Sequence, residues 1–250
     1  MNLASPLQAL LRPLKLQGRR IYLYKYALST SLRMFGWRQP KFECPNCGRE
    51  DTFLATGQPP RYGAECPNCG SAERHRLLAL VARKEQLFKN RSVLHFAPEK
   101  SIARLISEGA TRYATADLQP GRAEMVLDIE HIDQPDASWD VVVASHILEH
   151  VDDAQALSEL RRVLRPGGIL IVMTPIVEGW DTSYENPSIV DPVQRAQHFG
   201  QTDHVRYYGR DLRARLRNAG FGVVEHTALA GDCIRHGLMR GEKVFICTKS

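Results

Sequence analysis

From residue 92 onward the sequence alternates short β-rich runs with helical ones. The runs are "SVLHF", "RYATADL", "AEMVLDI", "WDVVVASHI", "GILIVMT", "FGVVEHT" and "EKVFICTK", and patterns such as "KSIARLISEG", "DDAQALSELRRVLRPGG" and "GRDLRARLRNAG" separate them. Near-continuous apolar strands divided by amphipathic helices are what a parallel sheet covered on both faces requires. The expected fold is therefore α/β, with a Rossmann-like sheet of seven strands. The last two runs have no predicted helix between them, so they read as a terminal antiparallel hairpin. Asp152 and Asp153 suit a helix N-terminus, and Pro166, Gly167 and Gly168 stop that helix before the next strand. Asp140 opens a strand, away from any ligand end, and reads as structural.

Ahead of this region the pentapeptide "CPNCG" occurs twice, giving Cys44-x2-Cys47, eighteen intervening residues and Cys66-x2-Cys69. Four soft ligands in two tight turns suit a tetrahedral zinc ion, and Gly48 and Gly70 tolerate the backbone that closes each turn. A redox Cys-x-x-Cys needs no duplicate, and nothing in the N-terminus resembles an export signal that would favour disulfides. A four-thiolate site has no open coordination position, so the Zn2+ is expected to be structural. Whether the ribbon is only a scaffold or also grips a partner stays open. Cys247 in "VFICT" reads as a small buried apolar residue.

The formal charge of +5 is unevenly placed. Residues 1–42 hold eight Lys or Arg and no acid, which leaves the remainder net negative. That argues against a nucleic-acid binder built over the whole chain and confines the question to the leader. Its bases and aromatics suit either a docked or solvated helix or contact with an anionic surface. No run is long and apolar enough to predict a membrane helix, and a cytoplasmic protein is expected. The chain is divided as a basic leader over 1–41, a zinc ribbon over 42–70 and one catalytic domain over 71–250.

Three acids or turns line up with the strand ends: the "APEKS" turn after Phe96, Asp117 after the second run and Asp128 after the third. In doubly wound sheets the ligand lies at the carboxyl ends of the strands, where an acid after the second strand suits ribose hydroxyls; Asp117 is that acid. The segments "VLHFAPEKS", "ATADL", "MVLDIEHI", "WDVVVASHILEHVDD" and "LRRVLRPGGILIVMTP" together resemble class I S-adenosylmethionine-dependent methyltransferases. With "CPNCGSAERHRLL" and "HFGQTDHVRYYGRDL" they resemble a type 11-like bacterial branch that carries a cysteine module in front. The resemblance implies an S-adenosylmethionine site formed by His95, Ala97, Pro98, Glu99, Asp117, Leu118, Asp128, Ile129, Ser145, His146 and His150. In it Asp128 approaches the adenine amino group and Ile129 packs on the ring. Where the superfamily places glycines, this chain has Ala97, Glu99 and Ser101. Glu99 either meets the cofactor's ammonium group or complements the helix dipole, and Asp128 has a plain turn role as its alternative.

Methyl transfer is an in-line displacement at an activated carbon, so the protein mainly positions a nucleophile and excludes water, and a base is needed only when the acceptor must lose a proton. His204, His146 and His198 are the candidate bases, with Asp203, Arg206 and Tyr207 as further acceptor-site candidates. His150 reads as a packed residue beside the cofactor rather than a catalytic one. The stretch from Pro175 to Asp211 is too long for a simple connection and is expected to form a substrate lid; the alternative is that "DHVRYYGRDL" braces that segment on the sheet. The acceptor is expected to be an oxygen or nitrogen of a small molecule or saccharide. An RNA methyltransferase gripping substrate with ribbon and leader, and a non-catalytic zinc-binding scaffold, are the alternatives.

Overall fold

A computed structural model describes residues 40–57 and 61–250. All of the basic leader except Pro40 and Lys41 lies outside the described residues, and so does the surface contact expected of it.

Two small hairpins open the described chain. Strand β1 (Phe42–Glu43) pairs antiparallel with β2 (Glu50–Asp51), and β3 (Leu54–Thr56) pairs with β4 (Arg61–Glu65). Each hairpin is linked to one "CPNCG" turn. Gly48 N donates to Cys44 O at 2.8 Å and Gly70 N to Cys66 O at 2.9 Å, both glycines in the left-handed region at φ +72° and +68°. The two turns thus repeat one conformation that glycine adopts without steric cost.

Helix α1 (Glu73–Lys84) leads into β5 (Ser92–Phe96), then α2 (Lys100–Gly109), β6 (Arg112–Asp117) and β7 (Met125–Val126). The chain returns through β8 (Trp139–Ser145), a 3-10 turn over Leu148–His150, α3 (Asp153–Val163) and β9 (Leu164–Met173). Strand β10 (Tyr184–Glu185), α4 (Pro192–Phe199) and β11 (Arg206–Tyr207) belong to the insertion; α5 (Leu212–Asn218), β12 (Phe221–Thr227), α6 (Ala230–His236) and β13 (Lys243–Lys249) complete the chain.

Seven strands form one sheet in the order β12-β13-β9-β8-β5-β6-β7, and β13 runs antiparallel to both of its neighbours. The seven runs anticipated from sequence are these seven strands. The hairpin expectation needs correction, because α6 lies between β12 and β13. Its sequence, "AGDCIRH", is too short to show helical periodicity. Asp152 caps α3 through its side chain, accepting from Ala154 N and Gln155 N. Asp140 accepts from Ser92 N at 2.8 Å and from Arg165 at 2.7 Å, at the edge opposite the site. No helix among the described residues is long and apolar enough to cross a membrane.

Chain order reverses at the centre of the sheet. From β5 the chain moves outward through β6 and β7, then returns to β8 and β9 on the other side of β5. Helices following β5 and β8 therefore diverge, leaving a crevice outside their carboxyl ends.

Candidate functional site at the strand ends

A cleft of about 250 Å³ occupies that crevice, lined by Phe96, Ala97, Asp117, Leu118, Leu127, Asp128, Ile129, His146, Ile147, His150 and Val151. Apolar side chains form its walls, and carboxylates stand at two strand ends. The Asp117 carboxylate accepts from Gln119 N at 2.8 Å and that of Asp128 from Glu130 N at 2.9 Å. Each is thus fixed by an Asx turn through one oxygen; among the described residues the other oxygen of Asp117 has no hydrogen-bond partner, and that of Asp128 lies 4.0 Å from His131 Nδ1.

Ala97 turns the chain at the end of β5 with φ +46°, and Ala97 N donates to Ala116 O at 2.8 Å. A left-handed conformation costs an alanine roughly 1 kcal/mol. The "APEKS" turn therefore keeps the backbone path that glycine would follow, with a methyl group as the only addition. His146, at the end of β8, shares the trait at φ +55°.

Seven of the eleven expected cofactor residues line this cleft: Ala97, Asp117, Leu118, Asp128, Ile129, His146 and His150. The other four are placed differently. His95 is fully buried inside β5 with Nδ1 3.1 Å from Tyr113 Oη, because strand alternation turns it into the sheet; burial pushes its pKa down to about 4. Pro98 precedes Glu99, the N-cap of α2, so the helix begins two residues later than Pro98. The Glu99 side chain makes no cap bond; it is held by Arg74 and by His75 Nε2 at 2.6 Å. Burial raises the Glu99 pKa, but His75 and Arg74 outweigh it and bring it to about 2. Ser145 is buried and donates to Glu99 at 3.3 Å. Sequence reasoning missed the apolar lining of Phe96, Leu127, Ile147 and Val151, whose apolar character is indistinguishable from that of core residues.

Beyond the end of β8 a second polar group is assembled from two distant segments. The 3-10 turn supplies Glu149 and His150, and the insertion supplies His204 just before β11. Val205 N donates to Glu149 O at 2.9 Å, which ties the two segments together. The His150 and His204 rings meet edge to face at 4.6 Å between centroids. His146 Nδ1 lies 3.3 Å from Glu149 and His150 Nδ1 lies 3.4 Å from Asp203. Burial, and then the neighbouring His150, lower the pKa of His204. Glu149 is raised by burial, yet His146 and Thr174 hold it below the usual carboxylate range.

Of the three candidate bases, His146 and His204 gather around Glu149. His198 does not; it lies on the exposed side of α4, with Nδ1 2.6 Å from Tyr184 Oη. Arg206 is buried and donates to Leu148 O at 2.8 Å, to Val151 O and to Glu185 at 2.8 Å. Its work is to brace the insertion on the 3-10 turn. Tyr207 packs edge to face on Trp180 within the insertion. A second cleft of about 580 Å³ shares His150 and Val151 with the first and extends to Asn186, Ile189 and Arg195 of the insertion. A larger one, about 740 Å³, lies by Arg161, Pro166 and Lys249, at the start of β9 and away from the strand ends.

The four cysteines form one cluster, with sulfurs 3.6 Å apart for Cys44–Cys69 and 3.8 Å for Cys47–Cys66. Thiolates around a tetrahedral ion at ~2.3 Å stand ~3.8 Å apart. These residues fit such an ion.

Residues 91–172 match a family model described as "Methyltransferase domain". A "Probable S-adenosylmethionine-dependent methyltransferase" of Mycolicibacterium smegmatis is 48% identical over 66 residues, covering 26% of this chain and 23% of that protein. Malonyl-[acyl-carrier protein] O-methyltransferase of Serratia marcescens is 32% identical over 85 residues, covering 29% of this chain and 33% of that protein. The chain thus spans a third or less of the length of the curated relatives it matches. In fold it is similar to Burkholderia thailandensis 1,6-didemethyltoxoflavin-N1-methyltransferase, solved with 1,6-didemethyltoxoflavin and S-adenosylhomocysteine. The TM-score is 0.50 at 17% identity, covering 72% of this chain and 79% of that one.

Proposed function

We propose that this chain, whose residues 91–172 match a methyltransferase-domain model, is a class I S-adenosylmethionine-dependent methyltransferase that transfers the cofactor's methyl group to an oxygen or nitrogen of a small molecule or saccharide. One observation carries the reading: an apolar slot at the switch point of the sheet, flanked by the carboxylates of Asp117 and Asp128, each oriented by an Asx turn. Asp117 receives the ribose hydroxyls, and Asp128 meets the adenine amino group while Ile129 packs on the ring. Amides in the first turn of α2 meet the methionine carboxylate.

S-adenosylmethionine supplies a methyl group on a positively charged sulfur, which makes the carbon electrophilic. The protein's own contribution is alignment. The adjoining cleft shared at His150 and Val151 admits the acceptor, and the insertion over residues 175–211 closes above it and keeps water from the reacting atoms. When an acceptor must lose a proton, the group around Glu149 and His204 faces the entering atom. The cysteine cluster holds Zn2+, a closed structural site that supports folding of its segment and takes no part in the transfer.

Calorimetry with S-adenosylhomocysteine tests the reading directly. Binding is expected for wild type and is weakened at least tenfold in Asp117→Ala, since a buried ribose loses a charge-assisted hydrogen-bond partner worth about 1.5–3 kcal/mol. No heat with wild-type protein at millimolar nucleoside, or unchanged affinity in the variant, would overturn it.

A further inference from the structure

The group at the end of β8 contains more unpaired buried polar atoms than any other place among the described residues. Of the seven side-chain atoms among the described residues that are buried without a hydrogen-bond partner, three lie here: Glu149 Oε1, which stands 3.3 Å from His146 Nδ1 without hydrogen-bond geometry, His204 Nδ1 and His146 Nε2. Glu149 is 2% exposed and His204 4%. Leaving such atoms unpaired costs about 1–3 kcal/mol each, so a fold that collects three of them in one place has a reason to do so.

Each of Glu149, His150 and His204 offers a ligand atom, and these atoms lie within 4.8 Å of one another. The remaining atoms of Glu149 and His150 are already engaged in ways that orient them. Thr174 Oγ1 donates to Glu149 Oε2 at 2.9 Å, which leaves Oε1 as the ligand atom, with His146 Nδ1 3.3 Å away as its neighbour in the group. His150 Nδ1 sits against Asp203, leaving its Nε2. His204 Nδ1 is buried without a hydrogen-bond partner. Carboxylate, hydroxyl or carbonyl partners behind each ligand are the usual outer shell of a metal site.

We propose that Glu149, His150 and His204 bind a divalent first-row transition ion whose open coordination positions take the acceptor's hydroxyl oxygen. Two imidazoles and one carboxylate suit Zn2+ and its neighbours rather than Mg2+ or Ca2+, and three protein ligands leave room for a water or substrate. This rests on the proposed methyl transfer and narrows its acceptor from oxygen or nitrogen to oxygen. The ion lowers the pKa of the bound hydroxyl, whose proton leaves to water. An oxygen lone pair then forms the O–CH3 bond as the S–CH3 bond breaks; that electron pair returns to sulfur, and the sulfonium becomes the neutral thioether of S-adenosylhomocysteine. His204 acts here as a ligand brought in by the insertion, so the site is complete only with the insertion seated on the 3-10 turn.

The test uses the full chain with its cysteine cluster loaded with zinc, titrated with Co2+. Wild type is expected to take up one further ion, seen as visible d–d absorption without the near-ultraviolet thiolate band that a cysteine site would give. His204→Gln and Glu149→Gln should bind it more than ~100-fold more weakly. Thr174→Val, which removes only an orienting partner, should cost ~10–100-fold. Zinc content and melting temperature serve as controls for folding. Should both ligand variants fail to fold, unchanged affinity in Thr174→Val would sink the proposal. So would the absence of a second ion in wild type at millimolar Co2+, or wild-type affinity in both ligand variants. S-adenosylhomocysteine binding measured on the same samples separates the two readings: cobalt uptake without nucleoside binding removes the proposed activity and leaves the metal site, and the reverse removes the metal site alone.

Discussion

Ala97 shows how one residue sets the limits of a site. Its φ of +46° is where glycine is usually found, and the residue lines the cleft. Ala97→Gly should therefore leave nucleoside binding intact and change stability by no more than about 1 kcal/mol, since relief of strain offsets the greater entropy of an unfolded glycine. Ala97→Val adds a β-branch in a conformation that β-branched residues scarcely adopt. Calorimetry should show lost S-adenosylhomocysteine binding, and denaturant titration a loss of roughly 1–3 kcal/mol; equal binding by Val and Gly variants would show that the turn does not shape the pocket. The sequence exposes the absent glycine but cannot show that alanine takes over its conformation, because φ is imposed by the bond to Ala116 and the packing of α2.

At the scale of elements, α1 joins the cysteine module to the sheet. Arg76 is fully buried and donates to Ala64 O at 3.1 Å, His236 O at 2.8 Å and Gly237 O at 2.6 Å, as well as to Ser71 O and Gly63 O; its guanidinium also lies 4.5 Å from the Phe53 ring centre. One side chain thus links β4, α1 and the end of α6. Asn46, inside the first "CPNCG" turn, donates to Ser101 O at 3.1 Å at the start of α2. The module is therefore part of the wall behind the cofactor turn. Arg76→Met should strand several buried carbonyls and cost about 3–5 kcal/mol, a drop that thermal melting would register. Nothing in "ERHRLLAL" distinguishes Arg76 from an ordinary solvated base; its partners are up to 161 residues away.

Across the whole molecule, acid stability collects the titrations of its buried groups. His95 is held neutral by burial, with its pKa moved from 6.5 to about 4, so the unfolded chain binds the extra proton and stability falls as pH drops through that window. Glu99, lowered from 4.5 to about 2, adds stability that is fully present above 4.5 and is lost as pH falls towards 2, on the order of 3 kcal/mol. Urea titrations should show a slope between about 6.5 and 4 that His95→Gln flattens, and a second below about 4.5 that Glu99→Gln flattens; parallel curves for all three proteins would exclude these assignments. What the sequence determined by itself was local and periodic: seven strand runs, the Asp152 cap, the paired cysteine turns, and an acid that closes a strand at Asp117; Asp128 stands two residues past the end of β7 rather than at it. Each of these follows from neighbouring residues and from alternation between two faces. Only the tertiary structure decided where side chains at equivalent strand ends finally point. It withdrew His95 and Glu99 from the cleft, left His198 outside, and carried His204 across more than fifty residues of chain to Glu149. The reason is that long-range contacts are fixed by which elements pack together, and a single sequence records the faces of those elements but not their partners.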